Sequence, residues 1–204
     1  MKSISIALDC DGVLADFCTG ALRLVEEVTG KKFDVSAITK RDFTAALGLS
    51  AQETSTILQT ITDRRGFATS LPSYPQARQG VRRLRTLGRV FCVTTPWEAS
   101  NWWCEERESW LALHFGIDLV HHAHRDDKTP YEADVFVDDT ADHVRKWLAA
   151  WPGRTAVFWR TPQNRGEAVP QGAHATASWE DLYQIAREVA RGHLQQPQLP
   201  TDSP

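Results

Sequence analysis

Residues 4–17 read ISIALDCDGVLADF, and this stretch decides the fold. The mainly apolar run at 4–8 has the length and composition of a buried strand. The acidic turn DCDG follows it directly, at residues 9–12. In an open parallel sheet, ligand-binding residues lie just beyond the carboxyl ends of the strands. Asp9 and Asp11 are therefore the first candidate site residues.

Short apolar, β-branched runs of the same kind recur along the chain, each followed by a turn and a segment with helical periodicity. They lie at residues 90–94, 119–123, 134–137 and 155–159. Strands that alternate with helices are typical of an α/β fold. The sequence therefore predicts a Rossmann-like parallel sheet of about five strands flanked by helices.

The interval between the first and second strands is much longer than the others and must contain additional structure. It holds two helical patterns, one of which begins with a capping-box pattern at residues 50–53. We interpret this insertion as a small helical cap after the first strand. The predicted division is residues 1–15 and 76–191 as the core, 16–75 as the cap, and 192–204 as a flexible, proline-rich tail.

The composition indicates an ordinary globular protein and excludes several classes. The 204 residues are 42% hydrophobic and 24% charged, and the formal net charge is −3. This acidic balance argues against binding to polymeric nucleic acid. Apolar runs fall short of the roughly 18 residues that a membrane span needs, the N-terminal run ends in aspartates, and the cysteines have no CxxC spacing. We expect a cytoplasmic protein that does not span a membrane.

Polar residues after the other strands extend the acidic site. Thr94 and Thr95 follow the second strand, Lys128 precedes the fourth, and Asp138 and Asp139 end it. Carboxylates that converge at one sheet edge repel each other unless a cation lies among them, and their hard oxygens favour Mg²⁺. The hydroxyls and the lysine supply donors for an anion. Each acidic pair alone is also compatible with a turn or a helix cap, but the set predicts a phosphoryl-handling site.

Four motifs in this order carry a family resemblance. They are LDCDGVLADF at 8–17, VTTP at 93–96, DDK at 126–128 and DVFVDD at 134–139. They resemble the signature motifs of the haloacid dehalogenase-like superfamily, most of whose members are Mg²⁺-dependent phosphatases with an aspartyl-phosphate intermediate. Within the superfamily, the motif continuations and the small helical insertion resemble the 5′(3′)-deoxyribonucleotidase family.

The resemblance implies roles for the acidic residues. Asp9 would be the nucleophile, and Asp11 would be the general acid and then the general base. The side chain of Asp9, the backbone carbonyl of Asp11 and the side chain of Asp139 would hold Mg²⁺. Asp138 would lie beside the metal, either as a further ligand or as a partner of the ligands.

The resemblance also implies how a substrate would be held. Thr94, Thr95 and Lys128 would bind the phosphate. Phe17, Phe43 and Trp97 match positions at which the family covers the base of a nucleoside monophosphate with aromatic side chains. Packing between cap and core is the competing interpretation of these rings. Thr44 stands where the family often has a second aromatic residue, which leaves the base and sugar preference open.

The chain has 8 tryptophans, an unusual number for its length. Trp147 and Trp151 lie on a helical apolar stripe, and Trp103 and Trp110 are spaced like one face of another helix. We expect all four to belong to helices packed on the sheet. Trp97, directly after VTTP, is the one tryptophan expected to contact a ligand.

The leading hypothesis is a Mg²⁺-dependent phosphomonoesterase that acts on nucleoside 5′-monophosphates, with deoxyribonucleotides preferred. Its partner would be a small phosphomonoester, and a homodimer is one candidate assembly. Two alternatives stay open at this point: a phosphatase for another small phosphorylated metabolite, and a binding or regulatory protein with poor turnover. A metal-dependent nuclease conflicts with the acidic net charge.

Overall fold

Within residues 2–192, which the computed structural model describes, six strands form a single parallel sheet. In chain order the strands are β1 (Ile4–Leu8), β2 (Gly88–Thr94), β3 (Val120–His122), β4 (Val135–Asp138), β5 (Thr155–Trp159) and β6 (His174–Thr176). The order across the sheet is β3-β2-β1-β4-β5-β6, and each neighbouring pair is parallel. The predicted tail lies outside the described residues, apart from Gly192.

Helices connect the strands and cover both faces of the sheet. They are α1 (Phe17–Thr29), α2 (Phe43–Ala46), α3 (Ala51–Asp63), α4 (Ala77–Leu84), α5 (Trp103–Phe115), α6 (Ala141–Ala150) and α7 (Trp179–Arg191). The predicted α/β class is confirmed. None of the helices in the described range has the length and apolar character needed to cross a lipid bilayer.

The predicted count of about five strands falls one short of the observed sheet. The additional strand, β6, has the sequence HAT and pairs with β5 at the edge of the sheet. It lacks the apolar run by which the other strands are recognised. Its register comes from pairing with its neighbour, which a local pattern cannot reveal.

The core has two layers, one on each face of the sheet. Alternate residues of a strand point to opposite faces, so Leu8 packs with α4, α5 and α7, whereas its neighbour Ala7 faces α6. Trp147 of α6 is fully buried and stacks on Phe136 of β4, with ring centroids 4.9 Å apart. This packing fixes the carboxyl ends of the strands relative to one another.

A third apolar cluster lies in the long insertion after β1. It joins α1, α2 and α3, and its buried members include Leu24, Phe43, Ile57, Ile61 and Phe67. The predicted capping box at the start of α3 is confirmed, because Ser50 and Glu53 exchange side-chain to backbone hydrogen bonds. The boundaries of the cap at residues 16 and 75 stay a prediction.

Trp103 and Trp110 both belong to α5, as predicted, but the prediction that the ring of Trp103 packs on the sheet was wrong. Trp110 packs in the core under the sheet, but Trp103 belongs to the cluster of the insertion. The two residues are seven positions apart, which is about 10 Å along a helix, so the start of α5 extends past the sheet. Glu106 ties the same end of α5 to the insertion by accepting hydrogen bonds from the backbone N–H groups of Gly66 and Ala68.

Candidate active site

The central strands bring the acidic motifs together. β1 lies between β2 and β4, so the residues after these three strands share one edge of the sheet. The Asp9 N–H donates to the Val137 carbonyl at 2.9 Å, which continues the pairing of β1 and β4 into the turn. Asp9, Asp138 and Asp139 each place a carboxylate oxygen within 4.8 Å of the others.

Lys128 is buried between two of these carboxylates. Its Nζ lies 2.8 Å from Asp9 Oδ1 and 2.7 Å from Asp138 Oδ2. Burial alone would lower the pKa of Lys128, but the two carboxylates outweigh it and raise the pKa, so the lysine is charged. Burial alone would raise the pKa of Asp138, but Lys128 and His143 hold it at about 2. The Lys128–Asp138 pair is therefore ionised at neutral pH.

For the other two carboxylates, Asp9 and Asp139, the positive charge of Lys128 only partly offsets burial and repulsion. Burial, followed by the charge of Asp138, raises the pKa of Asp9 to about 6, although Lys128 opposes the shift. Burial and the charges of Asp9 and Asp138 raise the pKa of Asp139 as well. With all three aspartates ionised, the cluster would carry more negative charge than Lys128 neutralises, and this repulsion contributes to the raised pKa values of Asp9 and Asp139. A divalent cation among the three aspartates would remove this imbalance.

The donor set fits Mg²⁺. Its ligands in proteins are hard oxygens at about 2.0–2.1 Å in an octahedron, which places them roughly 3–4 Å apart, compatible with the separation of the three aspartates. Gly12 makes room for this arrangement. It has a φ of +83°, and a Cβ at this position would lie 2.0 Å from Asp139 Oδ2. Only glycine allows the DxDG turn to approach Asp139 so closely.

His143 lies between Asp138 and Asp126. Its Nδ1 lies 3.1 Å from Asp138 Oδ1, and its Nε2 lies 3.0 Å from Asp126 Oδ2. Burial alone would lower the pKa of His143, but Asp138 and Asp126 raise it. The Asp126 carboxylate also accepts a hydrogen bond from the Thr95 hydroxyl. The hydroxyl of Thr95, a predicted phosphate ligand, thus donates to a carboxylate. Thr94, the other predicted threonine, is buried at the end of β2.

Asp11 is paired with an arginine that the sequence analysis missed. Arg107 of α5 is fully buried, and its Nη2 lies 2.9 Å and 3.0 Å from the two oxygens of Asp11. Burial raises the pKa of Asp11, while Arg107 and Lys128 oppose the shift without cancelling it. Arg107 follows two glutamates in a polar stretch of sequence, so no local pattern distinguishes it from a solvent-exposed residue.

Two backbone N–H groups of the acidic turn donate hydrogen bonds to groups within or next to the turn. The Cys10 N–H donates to Asp9 Oδ1 at 2.7 Å. The Gly12 N–H donates to the Ala15 carbonyl at 3.0 Å. The contacts of Cys10 N–H and Lys128 with Asp9 Oδ1 orient the Asp9 side chain, and its second oxygen is left for another partner.

A cavity of about 590 Å³ lies between the carboxyl edge of the sheet and the insertion. Nine of the ten predicted site residues line it, and Asp138 lies fully buried beneath the site. The nine are Asp9, Asp11, Phe17, Phe43, Thr94, Thr95, Trp97, Lys128 and Asp139. Acidic and basic groups are therefore grouped with aromatic rings around one space.

The aromatic residues pack against each other as well as lining the cavity. The rings of Phe17 and Phe43 meet edge to face with centroids 5.8 Å apart. Trp97 packs on Trp103 at 6.0 Å, and its Nε1 donates to the Thr62 hydroxyl at 2.9 Å. Trp103 also lines the cavity, a position that the sequence analysis did not predict. Packing and ligand contact are thus compatible at these positions.

Arg41 closes one side of the cavity. Its Nη1 donates to the Thr140 hydroxyl at 3.1 Å, and its Nη2 lies 3.6 Å from Asp126 Oδ2. Arg41 comes from the insertion, whereas Thr140 and Asp126 follow core strands. These contacts connect the insertion to residues that follow β3 and β4, a pairing that sequence spacing alone does not reveal.

The fold is that of one class of proteins, the haloacid dehalogenase-like hydrolases. A hydrolase of this type from Burkholderia xenovorans superposes with a TM-score of 0.59 at 19% identity, covering 93% of this chain and 99% of that one. The HAD-hydrolase YfnB of Bacillus subtilis, described as bound to magnesium, gives a TM-score of 0.56 at 14% identity over 91% of this chain and 99% of its own. At these identities the likeness shows the fold.

The sequence comparison narrows the class to one family. The family described as "5' nucleotidase, deoxy (Pyrimidine), cytosolic type C protein" matches residues 2–193, and the chain belongs to this family. The human cytosolic-type 5′(3′)-deoxyribonucleotidase is 27% identical over 199 residues, which cover 95% of this chain and 98% of that protein. The resemblance seen in the four motifs is confirmed, and with it the assignment to a family of phosphoric monoester hydrolases.

Proposed function

We propose that this protein is a Mg²⁺-dependent phosphomonoesterase that hydrolyses nucleoside 5′-monophosphates, with deoxyribonucleotides preferred. The observation that carries the proposal is the position of Lys128 and three carboxylates on one side of a cavity that aromatic rings also line. Membership of the nucleotidase family supports the reaction class. The acidic net charge of −3 supports a small substrate over polymeric nucleic acid.

The acidic cluster would hold the metal. The side chains of Asp9 and Asp139 and the backbone carbonyl of Asp11 are the proposed ligands, with Asp138 oriented by Lys128 and His143 beside them. When bound, Mg²⁺ would supply positive charge that allows an anionic carboxylate and an anionic phosphate to approach each other.

The reaction would proceed in two halves. First, an Asp9 carboxylate oxygen forms a bond to phosphorus as the ester P–O bond breaks, and the leaving oxygen takes the proton of the Asp11 carboxyl group. Second, a water oxygen attacks the phosphorus of the Asp9 acyl phosphate and passes its proton to the Asp11 carboxylate. Breakage of the acyl P–O bond then releases inorganic phosphate and restores both side chains.

Lys128 and Thr94 would stabilise the phosphoryl group during transfer. The transferred group carries its charge on its peripheral oxygens, and a donor held in place before the reaction is worth most. Lys128 is already fixed by its two ion pairs, with Nζ 2.8 Å from the proposed nucleophile. Its charge therefore lies at the place where the new bond forms.

The aromatic side of the cavity would select the substrate. Stacking of a base on a ring contributes about 1–3 kcal/mol. Phe17, Phe43 and Trp97 are the proposed rings, and all three line the same cavity as Lys128. Another small phosphomonoester is the second candidate substrate class, because the fold and the motifs do not determine substrate specificity. Thr44, beside Phe43, leaves the base and sugar preference open.

The proposal includes a cytosolic location, which is supported by the description of the matched family. A homodimer stays a prediction, and the mass in solution would test it.

Phosphate release from a panel of monoesters tests the substrate. The panel should contain deoxyribonucleoside and ribonucleoside 5′-monophosphates, sugar phosphates and p-nitrophenyl phosphate, each assayed with Mg²⁺ and with a chelator. We expect Mg²⁺-dependent release with the highest kcat/KM for a deoxyribonucleotide. Release from sugar phosphates but from no nucleotide would support the proposed reaction and contradict the proposal that nucleotides are the substrates. No release from any member would contradict the enzymatic proposal.

A further inference from the structure

Arg107 is a fully buried cation in the first half of α5. An arginine side chain is almost never buried unless its charge is paired. Within residues 2–192, Asp11 is the one carboxylate at ion-pair distance from Arg107, and the contact is made by Nη2 alone. The two remaining guanidinium nitrogens, Nε and Nη1, have no hydrogen-bond partner among these residues. Among these residues, Asp11 is therefore the group that balances the charge of the guanidinium.

Two indole rings hold the guanidinium in place. The Arg107 Cζ lies 4.9 Å from the ring centroid of Trp103 and 5.7 Å from that of Trp110. The electron-rich faces of the rings offset part of the desolvation of the cation and restrict its rotation. Trp110 is itself anchored by a 2.9 Å hydrogen bond from Nε1 to the Leu71 carbonyl.

The Asp11 carboxylate, in contrast, lies at the edge of the cavity, with 30% of its side chain exposed. A carboxylate on a turn can rotate about two side-chain torsions, and a general acid works only within hydrogen-bond reach of the leaving oxygen. Because Arg107 Nη2 contacts both oxygens, it limits this rotation from the buried side. The opposite side of the carboxylate is left facing the cavity.

We propose that Arg107 is the positioning residue for Asp11 in the hydrolysis proposed above, and that it holds the carboxyl group toward the leaving oxygen. This inference rests on the proposed function. One Asp11 oxygen can stay on Nη2 while the other carries the proton, so the same contact serves both halves of the reaction. Arg107 does not touch the substrate and acts only through Asp11.

A purely structural role for the ion pair makes a different prediction. If Arg107 only stabilises the fold, its replacement lowers the amount of active protein, and all substrates lose rate equally. If it positions the proton donor, the loss depends on the leaving group. An alkoxide from a nucleotide needs a proton as it leaves, whereas a nitrophenolate leaves readily without one.

The experiment compares kcat/KM for a nucleoside 5′-monophosphate and for p-nitrophenyl phosphate in the wild type, Arg107→Met and Arg107→Lys. The quantity kcat/KM reports phosphoryl transfer to the enzyme and not the later breakdown step that the two substrates share. The ratio of the two values in one preparation is independent of the active fraction, so partial unfolding does not affect it. Arg83→Met, which removes an exposed arginine paired with Glu180, is the control.

We expect Arg107→Met to lower the ratio of nucleotide to nitrophenyl rates by about 10- to 100-fold, a part of what a general acid contributes. Arg107→Lys should lower it less, because an ammonium keeps the charge but not the planar fork. Arg83→Met should leave it unchanged. A ratio equal to that of the wild type in both Arg107 variants would overturn the inference. If the wild type hydrolyses neither substrate, the proposed function itself fails, and this outcome is distinct.

Discussion

Lys128 Nζ lies 2.8 Å from Asp9 Oδ1, so the buried cation of the site touches the residue proposed as its nucleophile. The same nitrogen pairs with Asp138. This double contact leaves the lysine little freedom to move and fixes its charge beside the attacking oxygen. In such a site, positive charge is in place before the reaction starts and needs no rearrangement during it.

Replacing Lys128 by methionine should lower kcat/KM for phosphate release by at least about 100-fold, the range seen when one preorganised donor is removed. The variant should also lose stability, because Asp9 and Asp138 would then face each other without a buried counter-charge. Steady-state phosphate release and thermal unfolding measure the two effects. Lys146→Met is the matched control, since Lys146 pairs with Asp142 on the exposed side of α6. Equal behaviour of the two variants would argue against the role of Lys128.

Replacing Gly12 by alanine should abolish phosphate release. Gly12 and Gly153 have nearly equal φ values, +83° and +86°, but only a Cβ on Gly12 would meet another residue, Asp139. Both alanine variants should therefore lose about 1–2 kcal/mol of unfolding free energy from the left-handed backbone. Only the variant at Gly12 should lose activity, because Asp139 must move. Retained activity in Gly12→Ala would show that the position of Asp139 is unimportant for the reaction.

Replacing His143 by asparagine should weaken Mg²⁺ binding by about 10- to 100-fold, the usual effect of removing a partner of a metal ligand. His143 lines the cavity and contacts Asp126 and Asp138, which lies beside the proposed metal ligands. Calorimetric titration with Mg²⁺ measures the affinity without reference to activity. His174→Asn, on the edge strand β6, should bind Mg²⁺ like the wild type. An unchanged affinity in His143→Asn would show that His143 does not contribute to Mg²⁺ binding.

Replacing Trp97 by alanine should raise KM for a nucleoside monophosphate by about 10- to 100-fold if the ring stacks on the base. KM for a phosphomonoester without a base, such as a sugar phosphate, should change little. Thr62→Val removes the hydroxyl that accepts the indole hydrogen bond and keeps the ring. It should produce a smaller shift in the same direction. Equal shifts of KM for both substrate types would favour the packing interpretation of Trp97.

The parts of the site that follow strands could be predicted, because a parallel sheet places such residues at one edge. Asp9, Thr94 and Asp139 belong to this group. Arg107 and His143 could not be predicted, because their contacts with Asp11 and Asp138 depend on how α5 and α6 pack on the sheet. In a sequence, burial is recognised from apolar residues at regular spacing. Arg107 is charged and stands among charged residues, so no such pattern indicates that it is buried.

The same limit applies to the fold. The strands with apolar runs were found, whereas β6 was missed because its sequence, HAT, has no apolar pattern. The spacing of Trp103 and Trp110 correctly indicated one helix. It did not reveal that the first turn of this helix extends beyond the sheet, so that Trp103 packs on the insertion. Where a helix ends relative to its neighbours is a tertiary property.

The most direct test of the central claim compares phosphate release by the wild type and by Asp9→Asn, with nucleoside 5′-monophosphates and Mg²⁺. Asp118→Asn, at an exposed aspartate, is the matched control, and thermal unfolding verifies that each variant is folded. We expect release by the wild type and the control, and a loss of at least about 1,000-fold in Asp9→Asn. Release that persists in a folded Asp9→Asn variant would contradict the account.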